Sequence, residues 1–168
     1  MSMSEVILNE LTAACHEQPE WSALLPQIND MNCGVHLAIL QQPYLDYVLN
    51  GTKTVESRFA VSKAQPFGRV AVGDLIFLKH GPVVGAFTAA SAEFINLTDP
   101  SSILQIYEHH AAAICAPHEF WFDQMHKRYA TLIGVSNVIS LPPVKVTKRD
   151  MRGWVVLRNS QQPQLPVS

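Results

Sequence analysis

The sequence predicts an α+β protein: a small closed β-barrel with flanking helices, preceded by an N-terminal helical extension. Three observations predict it. The first thirty or so residues place apolar side chains at helical spacing and contain no Lys or Arg. From Val35 onward, short apolar runs alternate with Gly- and Pro-containing turns, and a few helical stretches with capping signals lie between them. Short strands in this order, with helices at the side, suit a barrel. The 168 residues, 48% hydrophobic and 15% charged, are enough to bury one core and too apolar for disorder across the body. The expected division is 1–33 as extension, 34–158 as barrel domain and 159–168 as a flexible polar tail.

Each element has its own warrant. Val6, Ile7, Leu11, Ala14 and Cys15 form one stripe of a first helix. Pro19 opens a second short helix carrying Trp21, Leu24 and Leu25, which Pro26 disturbs. The stripe needs cover, either from the barrel or from a protein partner. Val35, Leu37 and Ile39 make a strand closed by Gln41 and Gln42. Pro43 suits a first helical position, where its missing N–H has no partner to lose. Tyr44, Leu45, Val48 and Leu49 then repeat at helical spacing, and Gly51 stands where a left-handed cap is wanted. After Thr52 the pattern turns to strand, with Val55, Ser57 and Phe59 alternating with Thr54, Glu56 and Arg58. Pro66 and Gly68 mark a loop. Val72-Gly73-Asp74 leads into the strand 75–78, and Gly81-Pro82 into 83–87, where Gly85 predicts a bulge or a close approach. Asp99-Pro100 starts a helix carrying Ile103, Leu104, Ile106 and Tyr107, and another runs from Pro117 through Phe120, Trp121 and Met125. Strands return at 129–141, with Pro142-Pro143 as a break, and at 154–157.

The chemistry gathers after the barrel's first helix. Glu56 and Arg58, two apart, share one face of their strand, while Lys53 has the other parity and reaches them from the turn. Three charges converging from a turn and a strand point to a small-ligand or phosphate site. Lys53 either holds a phosphate as a cation or, shielded from water beside a carboxylate, acts as base or nucleophile. Glu56 either reads a polar edge or shuttles a proton; its structural alternative is a pair with Arg58 or Lys53. Arg58 offers a planar fork for phosphate, or a structural ion pair. Tyr44 stacks on a base or packs in the core, and Gln42 lines the wall beside it.

Gln42-Pro43-Tyr44 and the spaced G-x-K-x-x-E-x-R run of Gly51, Lys53, Glu56 and Arg58 resemble the signature of ASCH domains, in the PUA-like superfamily. The similarity continues through Val72-Gly73-Asp74, residues 129–135 and the closing stretch from Asp150 to Leu157, so it spans about Val35 to Leu157. The resemblance implies a PUA-like barrel with a cleft beside its first helix, and RNA or a nucleotide-sized ligand as partner. It also implies two enzymatic alternatives using Lys53 and Glu56: a ribonuclease, or an amidohydrolase of acetylated cytidine. In that amidohydrolase branch a threonine stands three places after the lysine and a glutamate completes the set. Here Glu56 takes the threonine's place, Thr54 is one step from the lysine, and the further glutamate falls on Glu93 or Glu108. The triad does not carry over whole.

The net charge of −2 hides an asymmetry. Five acids and no Lys or Arg precede Gly34, so the remainder carries twelve basic against nine acidic residues, a net of +3. Lys145, Lys148, Arg149, Arg152 and Arg158 gather near the C-terminus, a candidate nucleic-acid patch or a solvated cluster. A net of +3 is short of a dedicated nucleic-acid binder. No apolar run reaches the roughly 18 residues that span a bilayer, and no leader pattern precedes the first helix, which predicts no membrane and a cytoplasmic location. Three cysteines without C-x-x-C spacing argue against disulfides and a cysteine-built zinc site. His109-His110, His118 and His126 lack metal-ligand spacing, and the glycines form no phosphate loop or dinucleotide fingerprint, so neither metal nor cofactor is expected.

Overall fold

Ser2 and Glu5 open the first helix with a reciprocal capping box, Ser2 Oγ accepting from the Glu5 N–H and Glu5 from the Ser2 N–H. In the computed structural model, which describes residues 1–161, this helix (α1) spans Met3–Glu17. A 3₁₀ segment (Pro19–Leu24) and a single turn of helix, α2 (Leu25–Ile28), follow. Then come β1 (Val35–Ile39), α3 (Tyr44–Leu49), β2 (Val55–Ala60), β3 (Leu75–Lys79) and β4 (Val83–Asn96). Helices α4 (Pro100–Ile114) and α5 (His118–Asp123) precede β5 (Tyr129–Val144) and β6 (Trp154–Arg158). Among the described residues no helix is long and apolar enough to cross a membrane.

The six strands form one mixed sheet in the order β2-β5-β4-β3-β1-β6, with β1 and β3 parallel and the other pairs antiparallel. The expected closed barrel is corrected here: no ladder joins the edge strands β2 and β6, so the sheet curls without closing. Side chains occupy the seam. The Arg58 guanidinium on β2 donates to the Gly153 and Ile39 carbonyls, and Gln65 Oε1 accepts the Val156 N–H of edge strand β6. At this open edge the Gly153 carbonyl and the Val156 N–H are thus met by side chains instead of a closing strand.

Two strands run longer than expected. β4 continues to Asn96 because Ala89, Ser91 and Ala92, without an apolar alternation of their own, pair with β5, Ala90 falling at one of three register shifts along the strand. Pro142-Pro143 do not end β5. They fall in the irregular stretch between the Gly85–Ser140 and Val83–Val144 pairs, where the ladder is interrupted and a missing N–H costs little. Pro142 also accepts the Trp21 indole N–H. The bulge at Gly85 is as expected: a Cβ there would come within 2.8 Å of Leu49 Cδ2 and 3.0 Å of the Ile139 carbonyl oxygen.

Three apolar clusters hold the sheet. Ile7, Leu11, Trp21 and Leu24 pack on Leu37, Phe77 and Val155, so the α1 stripe finds its cover within this chain, and Trp21 stacks on Phe77 at 5.7 Å. Ile7 and Leu11 are fully buried, worth about 2 kcal/mol each. Inside the curl, Ile76, Leu78, Phe87, Ile133 and Trp154 meet Leu45 and Val48 of α3. Helices α4 and α5 bring Ile103, Ile106, Ile114 and Trp121 against Leu132 and Val55. β1, β3 and β6 are thus buried on both faces, which is why their sequences read as continuous apolar runs. At the C-terminus Asn159 accepts from Arg69 and the Gln161 N–H donates to Asn32; the rest of the expected flexible tail lies outside the described residues.

Candidate functional site

The site is built by one tight connection. Helix α3 ends at Leu49, Gly51 takes φ +84° as expected, and the Gly51 N–H closes on Val48. Two backbone bonds then fix the turn: the Lys53 N–H donates to Tyr47 of α3, and the Thr54 N–H donates to Ala113 near the end of α4. The turn is therefore clamped between two helices before β2 begins.

That clamp carries Lys53 inward. Its side chain is 4% exposed and its Nζ donates to the Ile114 carbonyl, the last residue of α4, where unpaired carbonyls and the helix dipole favour a cation. The ring of Tyr44 lies 5.7 Å from Nζ. Burial pulls the Lys53 pKa below its ordinary value, and neighbouring Glu56 opposes that pull.

Glu56 is 5% exposed, and only one of its oxygens is engaged: Oε1 accepts Arg58 Nε–H at 3.3 Å, while the buried Oε2 has no hydrogen-bond partner. Arg58 is committed elsewhere as well. Its two terminal nitrogens donate to Gly153 and Ile39 at 3.1 and 3.0 Å, and its guanidinium lies 5.3 Å from the Trp154 ring. Three of its five N–H donors are already used. Lys53, Glu56 and Arg58 line one cleft of about 190 Å³, with Gln41 and Tyr44 on one side and Phe120 from α5 on another. The three charges expected to converge do share one hollow.

No family model matches the sequence, and no curated protein matches it either. Solved structures do. The chain resembles ASCH from Zymomonas mobilis, with 12% identity and a TM-score of 0.59 over 74% of this chain and 87% of that one. A substituted form of the same protein superposes with a TM-score of 0.61 over 76% and 90%. Protein EF3133 from Enterococcus faecalis V583 is 13% identical, with a TM-score of 0.52 over 80% and 90%. The fold is that of an ASCH domain.

Within this ASCH fold several expected site residues need relocating. Gln42 does not line the cleft: it is exposed, and its amide closes a reciprocal pair with the Asp46 N–H and carboxylate at the start of α3. Gln41 holds the wall position instead, one residue earlier. Thr54 is exposed, and neither Glu93 nor Glu108 lines the cleft, so no second glutamate joins Lys53 there. The C-terminal basic group is also smaller than its count. Arg158 donates to the carbonyls of Gln27, Ile28, Asp30 and Cys33, tying β6 to the end of α2. Asp150 binds both Lys148 and Arg152, which hold its carboxyl down to about 2. Lys145 and Arg149 remain exposed.

The sequence reading passed over one buried cluster. His36 and Asp74, 0% and 1% exposed, meet at 2.8 Å. The Trp154 indole N–H donates to His36 Nδ1, which leaves Nε2–H to donate to Asp74. Asp74 also accepts from the Gly34 and Ala71 N–H groups. The available signal was a histidine in the middle of an apolar strand. Among the described residues no three His, Cys, Asp or Glu side chains converge to hold a metal.

Proposed function

We propose that the cleft binds RNA through a single unpaired nucleotide, or a free nucleotide-sized ligand, with Glu56 as the recognising group. The observation that carries this reading is the bare Glu56 Oε2. A buried carboxylate oxygen without a donor costs about 1–3 kcal/mol, and a ligand that brings an N–H or O–H recovers it. Exocyclic amino groups, ring N–H groups and sugar hydroxyls are such donors. Tyr44 and Phe120 supply flat apolar walls for a base, and Lys53 with the uncommitted edge of Arg58 supplies positive charge for an adjoining phosphate. A cleft of about 190 Å³ suits one base-sized group rather than a duplex, so a longer RNA would enter through an unpaired position.

Calorimetric titration of the four nucleosides, their monophosphates and short RNAs tests this. At least one is expected to bind with one-to-one stoichiometry, and Lys53→Ala and Glu56→Ala each to weaken it more than tenfold. Unchanged affinity in both variants would remove the reading.

One observation favours a second, hydrolytic reading: burial makes Lys53 easier to deprotonate, and a neutral amine beside a carboxylate is a competent base or nucleophile. The substrate would be an acylated nucleoside or RNA. Acetate release from acetylated cytidine, or cleavage of labelled RNA, should then vanish in Lys53→Ala; absence of turnover across both substrates would exclude it.

A further inference from the structure

A larger hollow of about 600 Å³ lies where three connections meet. The β2–β3 loop supplies Lys63, the β4–α4 link supplies Asp99, and the α5–β5 link supplies His126, Lys127 and Arg128, beside Tyr129 at the start of β5. The α5–β5 link is held in place: the Arg128 N–H donates to Ala60 of β2, and the Arg128 carbonyl accepts from Leu97. Lys63 Nζ lies 5.7 Å from the Tyr129 ring. None of Lys63, Lys127 and Arg128 has an acidic partner within 4.0 Å among the described residues. Asp99, the one acid in this wall, is turned to the Ser101 N–H and hydroxyl as the cap of α4. Three cations therefore face the hollow against one acid.

This hollow is not isolated from the cleft. A depression of about 180 Å³ at the seam of the sheet shares Arg58 with the cleft and Tyr129 with the hollow. Cleft, seam and hollow adjoin through these shared residues, with Tyr44 lining the cleft and Tyr129 lining both seam and hollow, while Trp154 at the seam is buried. Cations and aromatic side chains along three adjoining depressions suit an unpaired strand, whose phosphates and bases are both accessible. A duplex has its bases stacked inside and presents none to a cleft of this size.

We propose that the row is a track for single-stranded RNA. One base enters the cleft, the strand crosses the seam over Arg58, and the following phosphates rest on Lys63, Lys127 and Arg128 with Tyr129 as a stacking face. This inference rests on the nucleotide-binding reading of the cleft and extends it to the flanking strand.

The test uses the full chain and the triple variant Lys63→Ala, Lys127→Ala, Arg128→Ala. The probes are a labelled mixed-sequence RNA of about ten nucleotides, the same strand annealed to its complement, and the nucleoside monophosphates. The triple variant should bind the single strand about tenfold more weakly near 0.1 M salt, with the slope of log affinity against log salt shallower by about 2, because each single-strand phosphate contact contributes about 0.7. Monophosphate affinity should stay within twofold, and the charge-conserving variant Lys63→Arg, Lys127→Arg, Arg128→Lys should restore strand binding. The track is overturned if the triple variant binds the strand normally, if duplex binds as tightly as single strand, or if the parent chain binds no strand. The cleft fails separately: strand binding that depends on the three cations but ignores Glu56→Gln keeps the phosphate track and removes the base site.

Discussion

Two buried acids lie in this fold under nearly equal cover and meet opposite fates. Asp74, 1% exposed, accepts from the Gly34 N–H, the Ala71 N–H and His36 Nε2–H. Glu56, 5% exposed, accepts from Arg58 alone and leaves one oxygen bare. The two clusters touch through Trp154, whose indole N–H donates to His36 and whose ring lies near the Arg58 guanidinium. Burial therefore does not distinguish them; satisfaction does. A fully partnered carboxylate organises the strand ends around it, whereas a half-partnered one keeps capacity in reserve for something that arrives later.

Substitution at each acid should separate the two roles. The largest effect is expected at Asp74. Asp74→Ala strands two backbone N–H groups and a buried imidazole, so urea unfolding should show a loss of about 3–5 kcal/mol. A loss below about 1 kcal/mol, the scale of one ordinary hydrogen bond, would break the contrast. Glu56→Gln keeps an acceptor for Arg58 and removes a buried charge, so stability should move by no more than about 1 kcal/mol. Ligand affinity should fall more than tenfold in the same protein.

Lys53→Met sharpens the comparison through pH. The folded chain holds Lys53 with a pKa below its ordinary 10.5, so between the two values the unfolded state binds more protons than the folded state. The parent chain should accordingly gain stability from this group as pH rises through the folded value toward 10.5, and Lys53→Met should flatten that gain. Denaturation midpoints across alkaline pH measure it. The variant loses the hydrogen bond to Ile114 and the attraction to Tyr44 and Glu56 but sheds the cost of a buried ammonium, so near neutral pH its stability should stay within about 1 kcal/mol of the parent. The smallest effect is expected at Gln42→Ala, which removes an exposed side-chain pair with Asp46: about 0.5 kcal/mol of stability and no change in ligand affinity.

What the sequence made legible was what neighbouring residues decide. Helical spacing, Gly51 and the β alternation place α3, the turn and β2 correctly, and with them the convergence of Lys53, Glu56 and Arg58. The partners of those groups come from far along the chain. Ile114 is 61 residues from Lys53 and Gly153 is 95 from Arg58, and no local pattern announces that the end of α4 or the start of β6 will meet this turn. The same distance hid the open seam. A barrel was implied by the resemblance, but whether β2 pairs with β6 or meets it through Arg58 and Gln65 depends on how β4 and β5 bend, and their register shifts follow no apolar alternation. The C-terminal cations were counted as a patch because charge is visible in a sequence and its neutralisation is not. Arg158 spends its donors on four carbonyls, a use no composition reveals.

A crystal structure of the chain with the tightest-binding mononucleotide or short RNA addresses the claim most directly. The expected result is a ligand N–H or O–H within about 3.2 Å of Glu56 Oε2, with the base between Tyr44 and Phe120. A ligand seated elsewhere, or a complex in which that oxygen is still bare, would contradict the account.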